Sequence, residues 1–209
     1  DPISYNGILK ANEKDFGTRA IPNYHFDKAE VIVSFGADFL GTWVSPTRFS
    51  ADYVKLRRPS KEDPSMSRHY QIEAIMSMTG SNADYRYPMS ESKYGALLAN
   101  LYNKIGGAVS APPMDLPGNA LDKIASDLMS AAGKSIVVSG SNDANIQMMV
   151  NAINNKLGNY GSTINLDESL NISSYDESAF DRVVAGAKVG SVGAIVFINT
   201  NPVYSHSKG

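Results

Sequence analysis

Two polar turns, each closing an apolar run, are the places where this sequence could present side chains to a ligand. Val31-Ile-Val-Ser-Phe leads into Gly36-Ala-Asp38, and Ala194-Ile-Val-Phe-Ile leads into Asn199-Thr-Asn-Pro202. In an open α/β sheet the carboxyl ends of the strands border a crevice lined by backbone N–H groups, and ligands bind there. Asp38 stands just beyond Gly36 at the mouth of that expected crevice. A carboxylate there can accept hydrogen bonds from a ribose or a guanine. Trp43 offers either a stacking platform or a core aromatic. Ser139-Gly-Ser-Asn142 also follows a strand-like run and opens a helix. Its amides can cradle an anion, or Gly140 can simply permit a tight strand-to-helix turn. It is not a complete GxGxxG motif, and Gly186, Gly190 and Gly193 precede a strand-like run, the wrong order for a dinucleotide fingerprint.

Other chemistries find little support. His25, His69 and His206 have no second ligand at metal-binding spacing and read as surface or interface residues. No Gly-x-Ser-x-Gly elbow occurs, and Asp84 and Glu91 read as capping or solubilising carboxylates. The 209 residues include no cysteine, so this chain holds no disulfide, thiolate zinc site or iron–sulfur ligand set. A net charge of −2 gives no basic footprint for nucleic acid. The one basic cluster, Lys55, Arg57, Arg58 and Lys61, runs straight into Glu62 and Asp63 and reads as a solvated loop. No run approaches the roughly 20 apolar residues that cross a bilayer, and no cleavable signal opens the chain, so no direct membrane insertion is expected. The opening Asp1-Pro2 and the stop just past a strongly apolar run lead us to expect an internal piece of a longer polypeptide.

The elements that must position these turns are legible as periodicities. Ala29 to Phe35 is a β-rich run of the kind buried on both faces of a parallel sheet. Ser45-Pro46 starts a helix over Thr47 to Leu56, Pro59 to Ser67 is an exposed loop, and Tyr70 to Met78 is a second apolar run interrupted by Glu73. Leu97, Leu98, Leu101 and Ile105 share a helix face that ends at Gly106-Gly107. Beyond Ala111-Pro112-Pro113, the best internal boundary, a helix through Leu121, Ile124 and Leu128 stops at Gly133 and a strand spans Ser135 to Ser139. Ile146, Val150, Ile153 and Leu157 mark the next helix. Ser174 and Glu177 form a capping pair before Phe180, Val183 and Val184, and Ala194 to Ile198 reads as the last strand. Alternating strands and helices imply right-handed βαβ units. The expected fold is α/β and Rossmann-like: a mainly parallel sheet with helices on both faces, divisible into lobes over residues 1–112 and 113–209.

In order, these segments resemble the middle of the catalytic subunit of the molybdopterin oxidoreductase (dimethyl sulfoxide reductase-like) family. Val31-Ile-Val-Ser-Phe-Gly-Ala-Asp38 is similar to that family's strand and Gly-x-Asn-Pro turn, Thr79-Gly-Ser-Asn-Ala-Asp84 to its threonine-to-alanine–aspartate passage, and Ile198-Asn-Thr-Asn-Pro-Val203 to its second Asn-Pro turn. Asp1-Pro-Ile-Ser-Tyr-Asn-Gly-Ile-Leu9, Val31 to Trp43, and Met78 to Asp84 resemble more narrowly the large iron–sulfur subunit of alternative complex III, a quinol:electron-acceptor oxidoreductase. That resemblance implies neighbouring parts of a parent chain and neighbouring subunits of a membrane-bound respiratory complex as partners. It also implies iron–sulfur clusters elsewhere in the parent and export to the outer face of the energy-transducing membrane.

The sequence departs from the cofactor-bearing members at two places. The family's Pro-Gly-Thr-Asp tetrad, which helps hold a pterin guanine dinucleotide, falls on Glu91-Ser-Lys-Tyr94, and the first Asn-Pro turn has become Ala37-Asp38. A tyrosine lacks the acceptor pair that a carboxylate offers guanine, and Asp38 opposes a pyrophosphate. The expectation is a cofactor-free docking domain that has no catalytic residue or metal ligand of its own. Gly36, Asp38, Tyr94, Gly140, Asn199 and Asn201 would then be the vestige of the cradle. The alternatives are a working molybdopterin guanine dinucleotide cradle and a Rossmann-like domain for another nucleotide.

Overall fold

The protein is described by a computed structural model over residues 4–62, 64–172 and 177–205. Four parallel strands form the central sheet: β2 (Val31–Phe35), β3 (Arg68–Glu73), β4 (Tyr85–Pro88) and β5 (Ser135–Ser139). They lie in the order β4-β3-β2-β5. The chain therefore winds outward one way from β2 through β3 and β4, then crosses back to place β5 on the other side. That reversal is the topological switch point of a doubly wound sheet, and it lies between β2 and β5.

β2 is buried at every position because it is central and both its faces are covered. Val31, Val33 and Phe35 face a core completed by Tyr70, Ile72, Val137 and helices α4 (Tyr94–Lys104), α5 (Ala120–Ser130) and α6 (Ala144–Lys156). Ile32 faces a second core with Ile136, Val138, helix α1 (Asn6–Phe16) and helix α2 (Pro46–Tyr53). The expected mainly parallel α/β sheet with helices on both faces is what forms. β5, from the expected second lobe, is hydrogen-bonded to β2 from the first, so the sheet runs across the 112/113 boundary.

A ribbon of β1 (Ile21–Tyr24) and β6 (Ile164–Leu170), antiparallel, lies outside the expected pattern. β1 carries Pro22 and is only four residues long, too short for a periodicity to register. The last predicted strand is a further difference. Ala194–Ile198 belongs to no strand or helix among the described residues, and neither core takes a residue from α7 (Glu177–Lys188) or α8 (Pro202–Ser205). Ser174, the Glu177 side chain and His206 lie outside the described residues. No helix among the described residues is long and apolar enough to cross a membrane.

Side chains close the outer edge of β5, where another strand would otherwise add. Asn154 of α6 accepts from Val137 N–H at 3.0 Å and donates to Val137 C=O at 2.7 Å, imitating a neighbouring strand. Gln147 donates to Ser139 C=O and Thr163 to Ser135 C=O. Asn154→Leu removes both partners of a buried peptide group. It is expected to destabilise the fold by about 2 kcal/mol, read as a lowered urea midpoint with an unchanged m-value.

Candidate functional site

The crevice at the switch point is built from the turns after β2 and β5. Gly36, Asp38, Thr42 and Trp43 line one side, Gly140, Ser141 and Asn142 the other, and Ser4, Tyr5 and Ile8 close it from the α1 side. Its volume is about 200 Å³. Sites for drug-sized ligands run to roughly 300–1,000 Å³.

Three of the turn amides that could hold an anion are committed to the fold. Gly36 N–H donates to Ile72 C=O at 2.8 Å and Gly140 N–H to Phe35 C=O at 2.9 Å. Ser141 N–H donates to Ser139 Oγ at 3.2 Å. The Asn142 side chain accepts from Gly7 N–H of α1 at 2.8 Å, so the first turn of α1 sits over the β5 turn. Gly7 can take that place because a Cβ there would meet Asn142 O at 2.5 Å.

Asp38 lines the crevice, yet its carboxylate serves a neighbouring turn. Oδ1 accepts from Thr79 N–H at 3.0 Å and from Thr79 Oγ1 at 2.8 Å, while Oδ2 lies 3.3 Å from Thr42 Oγ1. Thr79 Oγ1 in turn accepts from Leu40 N–H at 2.9 Å. Asp38 thus clamps its own turn to helix α3 (Met78–Ser81). Tyr94 lies beneath Gly36, buried against Phe35, with its hydroxyl donating to Ile72 C=O at 3.3 Å. Gly36 has φ +68°, and a Cβ there would stand 2.8 Å from the Tyr94 hydroxyl. The tyrosine ring therefore fills the space under the turn. Trp43 packs on Tyr24 and Phe49, a core aromatic that shows an edge to the crevice.

Gly36, Asp38, Tyr94 and Gly140 are thus brought together, while Asn199 and Asn201 are not among the crevice residues. Both asparagines are exposed, and Asn201 C=O accepts from Tyr204 and Ser205 N–H at the start of α8. Tested for fit, the site does not suit a pterin guanine dinucleotide: it is small, the amides of Gly36, Gly140 and Ser141 are taken, and Asp38 and Tyr94 are engaged by the fold.

No protein-family model and no curated protein matches this chain.

Beside the crevice lies a buried polar chain that the sequence reading missed. His69, Gln71 and Glu73 alternate along one face of β3, all buried, while Tyr70 and Ile72 face the opposite core. His69 Nε2 lies 3.4 Å from Gln71 Oε1, and Gln71 Nε2 donates to Glu73 Oε2 at 3.0 Å. With the Gln71 carbonyl toward His69, the imidazole carries its proton on Nε2, and Nδ1 accepts from the Tyr53 hydroxyl 3.0 Å away. Glu73 also accepts from Ser77 N–H (3.1 Å), Ser77 Oγ (2.6 Å) and Arg86 Nε (2.6 Å). Gly80 packs directly on this carboxylate. Alternation of polar residues in a β-rich run was the available signal, but the pattern ordinarily marks a face turned to water.

Two sequence expectations are corrected here. His69 is a core residue beneath Phe39 and Tyr53, not a surface one. Arg57 is not simply solvated: it grips Asp84 through both Nη atoms, at 2.6 and 2.9 Å, and donates to Asn82 C=O. Asp84 also accepts from His69 N–H at 2.8 Å, which ties the loop to β3.

Burial pushes the His69 imidazole down from 6.5 to about 4. Its contribution to stability is therefore complete above the unfolded value and declines as pH falls from 6.5 toward 4, where the unfolded chain takes up the proton first. Stability is expected to drop by about 1.2 kcal/mol between pH ~7 and ~5.5 from this group. Urea titrations at the two pH values, compared with a His69→Gln variant lacking that slope, check it.

Proposed function

We propose that this chain is a molybdopterin oxidoreductase-like α/β domain that works without the pterin cofactor, as a structural and docking part of a larger subunit in a respiratory quinol-oxidising complex. One observation carries the cofactor-free part of the reading. The side chains at the two departures from the family pattern, Asp38 and Tyr94, are built into the fold, one clamping Thr79 and the other filling the space beneath Gly36. The doubly wound strand order is compatible with the family likeness and sets the first motif turn, Gly36 to Asp38, at the switch-point crevice, whereas Asn199 and Asn201 of the second lie elsewhere. Electron transfer, in this reading, belongs to iron–sulfur clusters carried by other parts of the subunit.

The test is metal analysis for molybdenum and tungsten, together with oxidised-pterin fluorescence, on the intact parent subunit with its clusters in place. Both are expected well below one per chain, and stoichiometric metal and pterin overturn the reading. On the 209-residue chain, guanine and adenine nucleotides are expected to leave the melting temperature unchanged. A ligand at 100 times its Kd would add about 2.7 kcal/mol, so a clear upward shift would favour a nucleotide-binding domain.

A further inference from the structure

Four polar side chains meet where the chain leaves the β1–β6 ribbon. Asn23 stands on β1, His25 directly after it, Asp27 in the single 3-10 turn Phe26–Lys28, and Glu168 on β6. Glu168 arrives there through a break in register. Two steps along β1, from Ile21 to Asn23, face five along β6, from Leu170 to Asn165, and the surplus residues carry Glu168 back to Asn23. Extra residues of this kind re-aim side chains at sheet edges.

Three of their atoms form a nearly equilateral triangle. His25 Nε2 lies 3.4 Å from Glu168 Oε2, and Asn23 Nδ2 lies 3.3 Å from the first and 3.2 Å from the second. Ligands around a tetrahedral cation with bonds of roughly 2.0–2.1 Å stand about 3.3–3.4 Å apart. Two buried oxygens point to the same use. Asn23 is 1% exposed and its Oδ1 has no hydrogen-bond partner, and turning the amide over brings that oxygen into the triangle. Asp27 Oδ1 is likewise buried without a partner, and it faces the other imidazole nitrogen, Nδ1, at 3.9 Å. A histidine that ligates a metal through Nε2 keeps its proton on Nδ1 and directs it to a carboxylate, the place Asp27 holds. Lys55 binds Asp27 Oδ2 at 3.0 Å and leaves Oδ1 for that proton. With Asp52, which shares Lys55, three carboxylates gather around one ammonium, a balance that favours a cation. Among the described residues no three His, Cys, Asp or Glu side chains converge as a ligand set, so the amide is what completes this one.

We infer that Asn23, His25 and Glu168 bind one divalent transition-metal cation, with Asp27 orienting the imidazole and water as the fourth ligand. Zinc suits the mixed nitrogen and oxygen set, whereas magnesium and calcium take shells of oxygen alone. The Glu168 side chain is 60% exposed and that of His25 15%, which leaves an entry path on the Glu168 side. The cation would fasten strands from opposite ends of the chain. Sequence spacing gave no sign of it, because Asn23 and Glu168 are 145 residues apart. None of the four residues lines the switch-point crevice, so the inference stands whether or not the parent holds a pterin.

The test is isothermal titration of the chelator-stripped 209-residue chain with zinc chloride, and with magnesium chloride for comparison. One zinc per chain is expected, with magnesium at least a hundredfold weaker. Glu168→Gln is expected to weaken zinc at least tenfold and Asp27→Asn roughly 10–100-fold, while His206→Gln leaves the affinity unchanged. In the wild-type chain, zinc is expected to shift the nitrogen resonance of His25 Nε2 and of no other histidine, a readout that needs no variant. No zinc binding, binding indifferent to Glu168→Gln, magnesium as tight as zinc, or an adventitious ion only, shown by loss in His206→Gln or by a shift at another histidine, would each overturn the inference.

Discussion

Glu73→Ala is expected to destabilise the protein by about 3 kcal/mol, lowering the melting temperature by roughly 6–12 °C for a chain of this length. The carboxylate is nearly inaccessible, with a side chain 4% exposed, and accepts from Ser77 twice, from Arg86 and from Gln71. Alanine leaves the Arg86 guanidinium and the Gln71 amide without the acceptor they share. Arg86 keeps a quarter of its side chain in water, which places the cost at the lower end of the range for breaking a buried pair. The loss also propagates, because Glu73 fixes Ser77, and Ser77 caps α3 by accepting from Gly80 N–H at 3.0 Å. With α3 loosened, Thr79 no longer holds Asp38, so damage on β3 reaches the crevice. Glu73→Gln keeps the shape and part of the hydrogen bonding and is expected to cost about half as much.

Burial pushes the Glu73 carboxyl upward, but the bonds from Ser77, Arg86 and Gln71 outweigh it and hold it below its ordinary value of 4.5. Its folded value lies below the unfolded one, so its contribution is present above pH 4.5 and is lost as pH falls through the folded value. That window begins where the His69 contribution is already nearly gone. Acid unfolding is therefore expected in two overlapping stages, histidine first and carboxylate second. In Glu73→Ala the second stage should be reduced while the first remains. Urea midpoints measured across that range would show a single undiminished slope if the two groups were not separately responsible.

The sheet and most of its helices were legible because each announces itself locally. The β-rich run ending at Phe35 became the central strand, and the apolar faces around Leu98, Leu128 and Val150 became helices that end near Gly106, Gly133 and Gly158, each with positive φ. What was not legible depends on residues distant in sequence. The β1–β6 ribbon joins segments about 140 residues apart, and neither strand alternates cleanly enough to read alone. The polar face of β3 looked like a surface because its covering, Phe39 and Tyr53, comes from other elements. At the crevice, the sequence placed Gly36, Asp38 and Gly140 correctly at strand ends, but not the direction of the Asp38 side chain. That direction is decided by Thr79, 41 residues on. Ala194–Ile198 shows the converse, a strong local β signal without a pairing strand among the described residues.

Gly140→Ala is expected to be strongly damaging, costing about 3 kcal/mol or more and lowering the melting temperature by roughly 6–12 °C. The added Cβ would stand 2.3 Å from Gly36 O, 2.8 Å from Gly36 C and 3.1 Å from Ala37 N, all backbone atoms that no rotamer change can move away. Gly36 cannot retreat easily. Its N–H is bonded to Ile72 C=O, its φ is left-handed, and the Tyr94 ring lies on its other side. The two turns must therefore separate, which strains the bonds from Gly140 N–H and Ser139 Oγ to Phe35 C=O. Asn142 would shift with them and disturb its hold on Gly7. Gly95→Ala is the matched control. It lies in α4 with open space around it and an ordinary φ, so alanine there is expected to add about 0.5–1 kcal/mol. Thermal melts of the two variants should move in opposite directions. A Gly140→Ala protein as stable as the parent would mean that the turns are free to part, and a crevice able to open in that way could admit a ligand that the closed one cannot.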